Sequence, residues 1–154
     1  MKPFVVKEPL RLSEAEGGGP GDYSRADLIF YGVDHSGPSY EARIFLNNPD
    51  ADVDTPREVK DGYAGSFTIF GHDGCAGAEG HCDTGAREVD EFDLRAPHPL
   101  TPWTKAVEIT EAFNHLEGET EFVITVVAVV PGERGAELTD ALSFDRVRLA
   151  LYAP

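Results

Sequence analysis

Four side chains able to bind a soft metal fall in one short segment, GHDGCAGAEGHCD (71–83), where His72, Cys75, His81 and Cys82 give the spacing H-x2-C-x5-H-C. Thiolate and imidazole donors together suit zinc or copper(I). His72 and Cys75 are spaced so that both can converge on one ion. His81 and Cys82 are adjacent, diverge on an extended backbone, and need a turn to meet; the glycines around them allow one. Ordering such a loop costs chain entropy that bound metal would offset. His98, in the proline-flanked stretch RAPHPLTP (95–102), is the first choice for an extra nitrogen ligand. Two other readings stay open. Cys75 and Cys82 enclose six residues, a feasible disulfide loop in an oxidising setting. The segment is also readable as a solvated acidic excursion that holds nothing.

Catalytic signals are weak elsewhere. Ser66 lies in AGSF, which lacks the G-x-S-x-G elbow and its strand-turn-helix setting. The acidic pairs Asp52/Asp54 and Asp90/Glu91 are of a kind that chance supplies in a chain with 28 acidic residues. PDADVD (49–54) places carboxylates at alternate positions but lacks the glycine and terminal glutamate of a calcium loop. His35, in the turn DHSGPS (34–39), and His115, on a short helix, read as solvated.

The formal net charge of −15 argues against nucleic acid as a partner, because it repels phosphate backbones. It fits an acidic solvated surface, cation capture, or docking onto a basic surface. The N-terminus MKPFVVKEPL lacks the apolar stretch of a signal peptide, and the most apolar run, FVITVVAVV (122–130), is too short to cross a bilayer as a helix. No membrane association is expected, and a cytoplasmic location is, with export alongside a partner left open. In a reducing compartment two cysteines are more often thiols or ligands than a permanent bridge.

The elements that must position these residues read as strands. RADLIFYGV (25–33) is aromatic and β-branched, and YEARIFLN (40–47) alternates Tyr40, Ala42, Ile44 and Leu46 against Glu41, Arg43, Phe45 and Asn47. YAGSFTIF (63–70) leads directly into the Cys/His segment, and WTKAVEI (103–109) alternates again. Thr110 reads as the N-cap of one short helix, EAFNHLE (111–117), closed by Gly118. TEFVITVVAVVP (120–131) is expected to be a central strand buried on both faces, and LSFDRVRLALYA (142–153) the closing one, with Phe144, Val147, Leu149 and Leu151 in the core. PFVVKEPLRL (3–12) reads as an edge strand, residues 14–22 as a flexible glycine-rich break, and 71–102 as a long irregular Cys/His-containing loop. With no crossover helices, the expectation for residues 1–154 is a single all-β domain: an antiparallel β-sandwich or jelly-roll-like barrel with one short helix.

In order and approximate spacing, YEARIFLNN, YAGSFTIFGH, VEITEAFNHL, FVITVVAVVP and LSFDRVRLALY resemble the C-terminal β-domain that follows the copper domain in polyphenol oxidases and related tyrosinases, the KFDV-type domain. The match runs over residues 40 to 152, about three-quarters of the chain. Each motif is short; their order, with Ala64-Gly65-Ser66-Phe67 followed by His72, carries the resemblance. In the plant enzymes this domain covers the mouth of the active site and places a side chain over the copper pair. The resemblance therefore implies a non-catalytic accessory that covers or helps metallate a tyrosinase-like oxidase domain, in cis or in trans, with copper or zinc as the metal to look for. Tyr63, Phe67 and Phe70 are the aromatic candidates to enter a partner's pocket, although core packing is a competing use for at least two of them. The chain departs from the family in two ways. Its five histidines cannot build two three-histidine copper sites, and the Cys/His segment is an insertion. The alternative function is a small β-sandwich binding module for a carbohydrate, peptide or protein, its loop closed by a disulfide.

Overall fold

The computed structural model describes residues 4–5, 10–11, 16–17, 23–72, 92, 100–116, 119–131 and 141–154. Among them ten strands follow in chain order: β1 (Phe4–Val5), β2 (Leu10–Arg11), β3 (Glu16–Gly17), β4 (Arg25–Val33), β5 (Tyr40–Leu46), β6 (Tyr63–Ile69), β7 (Trp103–Glu108), β8 (Glu121–Phe122), β9 (Ile124–Val129) and β10 (Arg146–Tyr152). Helix α1 (Thr110–Asn114) lies between β7 and β8, and a 3-10 turn spans Val59–Asp61. One sheet has the order β1-β9-β5-β6 and the other β3-β10-β4-β7, with β2 and β8 forming a separate pair. All pairings are antiparallel except that of β3 with β10. The architecture is an all-β sandwich, open at its edges and not closed into a barrel.

Period-two alternation decides which side chains fill the space between the sheets. Ala26, Leu28 and Phe30 of β4 and Leu149 and Leu151 of β10 meet Ala42, Ile44, Phe67, Ile69, Val126 and Ala128 in one continuous core. Phe30 and Phe67 touch across it with ring centroids 5.2 Å apart. The edges of the two sheets also approach each other: a Cβ on Gly65 of β6 would lie 2.7 Å from Val107 Cγ1 of β7, and the backbone there has φ +148. Glycine is what allows that approach.

Three departures from expectation shape the sandwich, each for a physical reason. Phe45, placed on the polar face by alternation, is fully buried, because the segment after β5 folds back and encloses it with Ala51 and Val127 in a second small cluster. Arg43 secures that segment, donating to the Val53 carbonyl at 2.8 Å, while Glu41 accepts from both Arg43 and Arg57. Enclosure on this side is also why β9 is buried on both faces, as its composition suggested. Thr110 does not cap α1. The cap position is Ile109, and the Thr110 hydroxyl accepts from the Ala26 amide at 3.1 Å, tying the helix start to β4. Finally, Glu16–Gly17, inside the stretch expected to be a flexible break, pairs in parallel with Ala150–Leu151.

Tyr40 offers a direct test of core chemistry. It is 2% exposed, its hydroxyl has no hydrogen-bond partner among the described residues, and burial pushes its phenol up to about 12. The unfolded chain ionises this group from about pH 10. Stability from the neutral buried form is therefore fully present below about pH 10 and lost as pH rises toward 12. Denaturant unfolding across this window should show Tyr40→Phe equal to or more stable than wild type, and should flatten its alkaline loss by up to about 2 kcal/mol.

Candidate functional site

At one end of the sandwich β4 leaves the sheet, β5 begins, β6 finishes and β7 begins. An irregularity in β4 shifts its pairing with β7 by one residue between Phe30 and Val33, which brings Trp103 opposite Val33 instead of its neighbour Pro102. The chain then turns at Asp34, whose carboxylate accepts from the Ser36 amide and the Ser36 hydroxyl, both at 2.9 Å. The Ser36 amide is the main cause that holds the Asp34 carboxyl below its ordinary range. The turn delivers His35 into the protein: it is 3% exposed and stacks on Trp103 with centroids 4.3 Å apart and planes 23° from parallel. Lys105 places its ammonium 4.5 Å from the centre of the same indole.

The segment after β6 comes back against this turn. The Gly71 amide donates to the Ser39 hydroxyl at 3.0 Å, and the His72 amide donates to the His35 carbonyl, also at 3.0 Å. The two imidazoles meet edge to face with their Nδ1 atoms 3.2 Å apart, and His72 Nδ1 also lies 3.2 Å from the His35 carbonyl oxygen. His35 Nε2 is 2.8 Å from the carbonyl oxygen of Thr101, at the end of the proline-rich segment. Phe70 completes the cluster, its ring centroid 6.0 Å from that of His72.

Of the metal-ligand candidates, His72 is thus placed by the structure, half-buried at the rim of this cluster. Cys75, His81, Cys82 and His98 lie outside the described residues, and with them the proposed disulfide. Among the described residues no three His, Cys, Asp or Glu side chains group as a metal site. The aromatic candidates separate along β6, where a one-residue shift in its pairing with β5 between Ile44 and Phe45 turns Tyr63 to the face opposite Phe67. Phe67 points into the core, Tyr63 is half-buried against Phe45 at 5.7 Å, and Phe70, just past the strand, is 73% exposed. His115 is exposed, as expected for its helix face. Asp52 is committed to its own turn, accepting from the amides of Asp54 and Thr55 and from the Thr55 hydroxyl. Asp90 and Glu91 are outside the described residues.

His35 is the residue that sequence reasoning missed. A histidine in a polar turn reads as solvated, and the signal that places it inside is the bulge that brings Trp103 beneath it. At the other end of β5 and β6 there is an open groove of about 500 Å³, lined by residues that include Leu46, Asn48, Val59, Asp61 and His115.

By sequence, no family model and no curated protein matches the chain. By structure, it matches recombinantly expressed latent aurone synthase, a polyphenol oxidase, with a TM-score of 0.54 at 17% identity over 99% of this chain. Latent aurone synthase from a natural source matches with a TM-score of 0.50 at 16% identity over 95% of the chain. The fold is one that polyphenol oxidases contain. It corresponds to only part of them: the chain spans about 25% of the first of these structures and 23% of the second. Strand order in the sequence and the shape of the folded chain therefore lead to the same enzymes.

Gly71 controls how closely the His72 segment can approach. A Cβ there would overlap the Gly37 carbonyl oxygen and the Pro38 backbone, whereas a Cβ on Gly37 would meet nothing within 4 Å. Gly71→Ala should therefore displace His72 and cost about 1–3 kcal/mol in denaturant unfolding, while Gly37→Ala stays within about 0.5 kcal/mol of wild type. Because Trp103 is the single tryptophan, its emission reports displacement at the site in the same experiment.

Proposed function

We propose that this chain is a non-catalytic accessory domain of a tyrosinase-like copper oxidase, acting in cis or in trans, which covers the oxidase's copper site or helps to load it. The observation that carries this reading is Phe70: a large apolar side chain 73% exposed beside His72, directly before the Cys/His segment in the sequence. Isolated exposed apolar residues are ordinary. This one sits at the end of a fold that polyphenol oxidases contain, and the matched structures are of latent enzymes. A covering role uses an apolar side chain that can be withdrawn, and a loading role uses thiol and imidazole donors nearby. His72 fits the donor set, since an imidazole next to thiolates suits copper(I) or zinc. The net charge of −15 favours cation approach for either role.

Covering and loading are tested separately. Phe70→Asp should leave stability within about 0.5 kcal/mol, and should weaken association with a tyrosinase-like oxidase domain by about tenfold or more, releasing that domain's activity from inhibition. Unchanged association would remove Phe70 from the interface. For loading, reduced protein should bind copper(I) or zinc stoichiometrically with a Kd below about 1 µM, and Cys75→Ser/Cys82→Ser should abolish it. No such binding, together with an intact mass that rises by two hydrogens on reduction, would favour the alternative: a binding module whose loop is closed by a disulfide.

A further inference from the structure

We propose that the groove at the far end of β5 and β6 is a binding site for an aliphatic primary ammonium, a short alkyl chain that ends in a protonated amine. The groove lies away from the His35 cluster, and the assignment does not depend on the accessory role proposed above.

The groove, of about 500 Å³, has the ordinary size of a small-ligand site. Asn47, Asn48, Asp61 and His115 supply polar side chains along it. Three of these are oriented by a side-chain bond to the protein, and that bond decides which polar atom is left over. Asn47, in the left-handed region at φ 51, clamps the Val123 backbone: its amide donates to the Val123 carbonyl and its Oδ1 accepts from the Val123 amide, both at 2.9 Å. Its Nδ2 is left. Asn48 Nδ2 donates to the Asp61 carbonyl at 2.8 Å, which leaves Oδ1. His115 Nδ1 lies 2.9 Å from the Glu111 carbonyl oxygen, which can only accept. That nitrogen therefore carries the proton, and the neutral ring keeps its lone pair on Nε2.

Asp61 supplies the charge. Among the described residues its carboxylate takes no hydrogen bond; Oδ2 is sealed from water without a partner, so Oδ1 is the oxygen left for a ligand. Native proteins seldom leave a carboxylate so poorly served. Lys60 also borders the groove, but its ammonium pairs with Glu58 at 2.7 Å. The uncommitted set is three acceptors, one of them anionic, against the single donor group on Asn47. An ammonium matches it, with three N–H donors and no acceptor. Val59 and Leu116, each partly buried, add an apolar wall for the methylenes behind it.

The test uses the whole chain at neutral pH, with n-hexylamine as the protonated probe. Titration followed in 1H–15N spectra should shift the side-chain amide signals of Asn47 and Asn48, with a Kd below about 1 mM. The neutral alcohol 1-hexanol should bind about tenfold more weakly or worse, since it lacks the charge-assisted bonds. Asp61→Asn keeps the shape and removes the charge, and should weaken hexylamine binding by about tenfold or more. His115→Ala changes an exposed side chain, should weaken binding by about threefold or more, and decides the matter if Asp61→Asn does not fold. Unmoved amide signals, hexanol binding as tightly as hexylamine, or a folded Asp61→Asn protein that binds like wild type overturns the proposal; so does unchanged binding by His115→Ala where Asp61→Asn fails to fold. Nα-acetyl-lysine methylamide separates two sources of the same chemistry: binding equal to that of hexylamine supports a lysine side chain of a polypeptide as the ligand, and much weaker binding supports a free amine.

Discussion

A buried imidazole needs a partner for each of its nitrogens, and in this protein that demand falls on His35. Meeting it ties three distant pieces of chain together: the turn after β4, the segment leaving β6, and the backbone that enters β7. Thr101 and His72 supply the two partners, and Trp103 supplies the apolar surface beneath the ring. An unmatched nitrogen at this depth would cost about 1–3 kcal/mol, enough to favour the one arrangement that satisfies both. The rest of the end is arranged around that solution. The β4 irregularity brings Trp103 into position, the Asp34 turn aims His35 inward, and Gly71 lets the returning strand come close.

The sandwich beneath it comes from simpler physics. Alternating apolar residues on β4, β5, β6 and β10 supply two inner faces, and β9 gains a second buried face from the folded-back segment after β5. These patterns were plain in the sequence, because a period of two needs no knowledge of the partner strand. What escaped sequence reasoning depended on partners remote in the chain. Phe45 is buried by residues beyond its own strand, Thr110 bonds to β4 instead of capping its helix, and His35 is covered by an indole 68 positions later. The fold class could be read from local periodicity. The conformation of the candidate site could not, since a one-residue shift between β4 and β7 has no local signature.

The same distinction governs function. The Cys/His segment drew attention through its residue types, but composition leaves metal, disulfide and solvated loop equally open. The folded chain adds the setting of its first member. His72 is anchored through its backbone and its ring to one neighbour, with a large exposed aromatic next to it. An anchored imidazole and an exposed phenylalanine at the same rim are what the proposed covering role would present to another protein.

The close passage of Gly65 against Val107 bears on how such a meeting could occur. Because β6 and β7 press their sheets' edges toward each other there, those two edges offer little backbone for a foreign strand to extend. Recognition through an added strand is thereby discouraged at those two edges. On that side, contact with another molecule falls to side chains and loops at the ends of the strands.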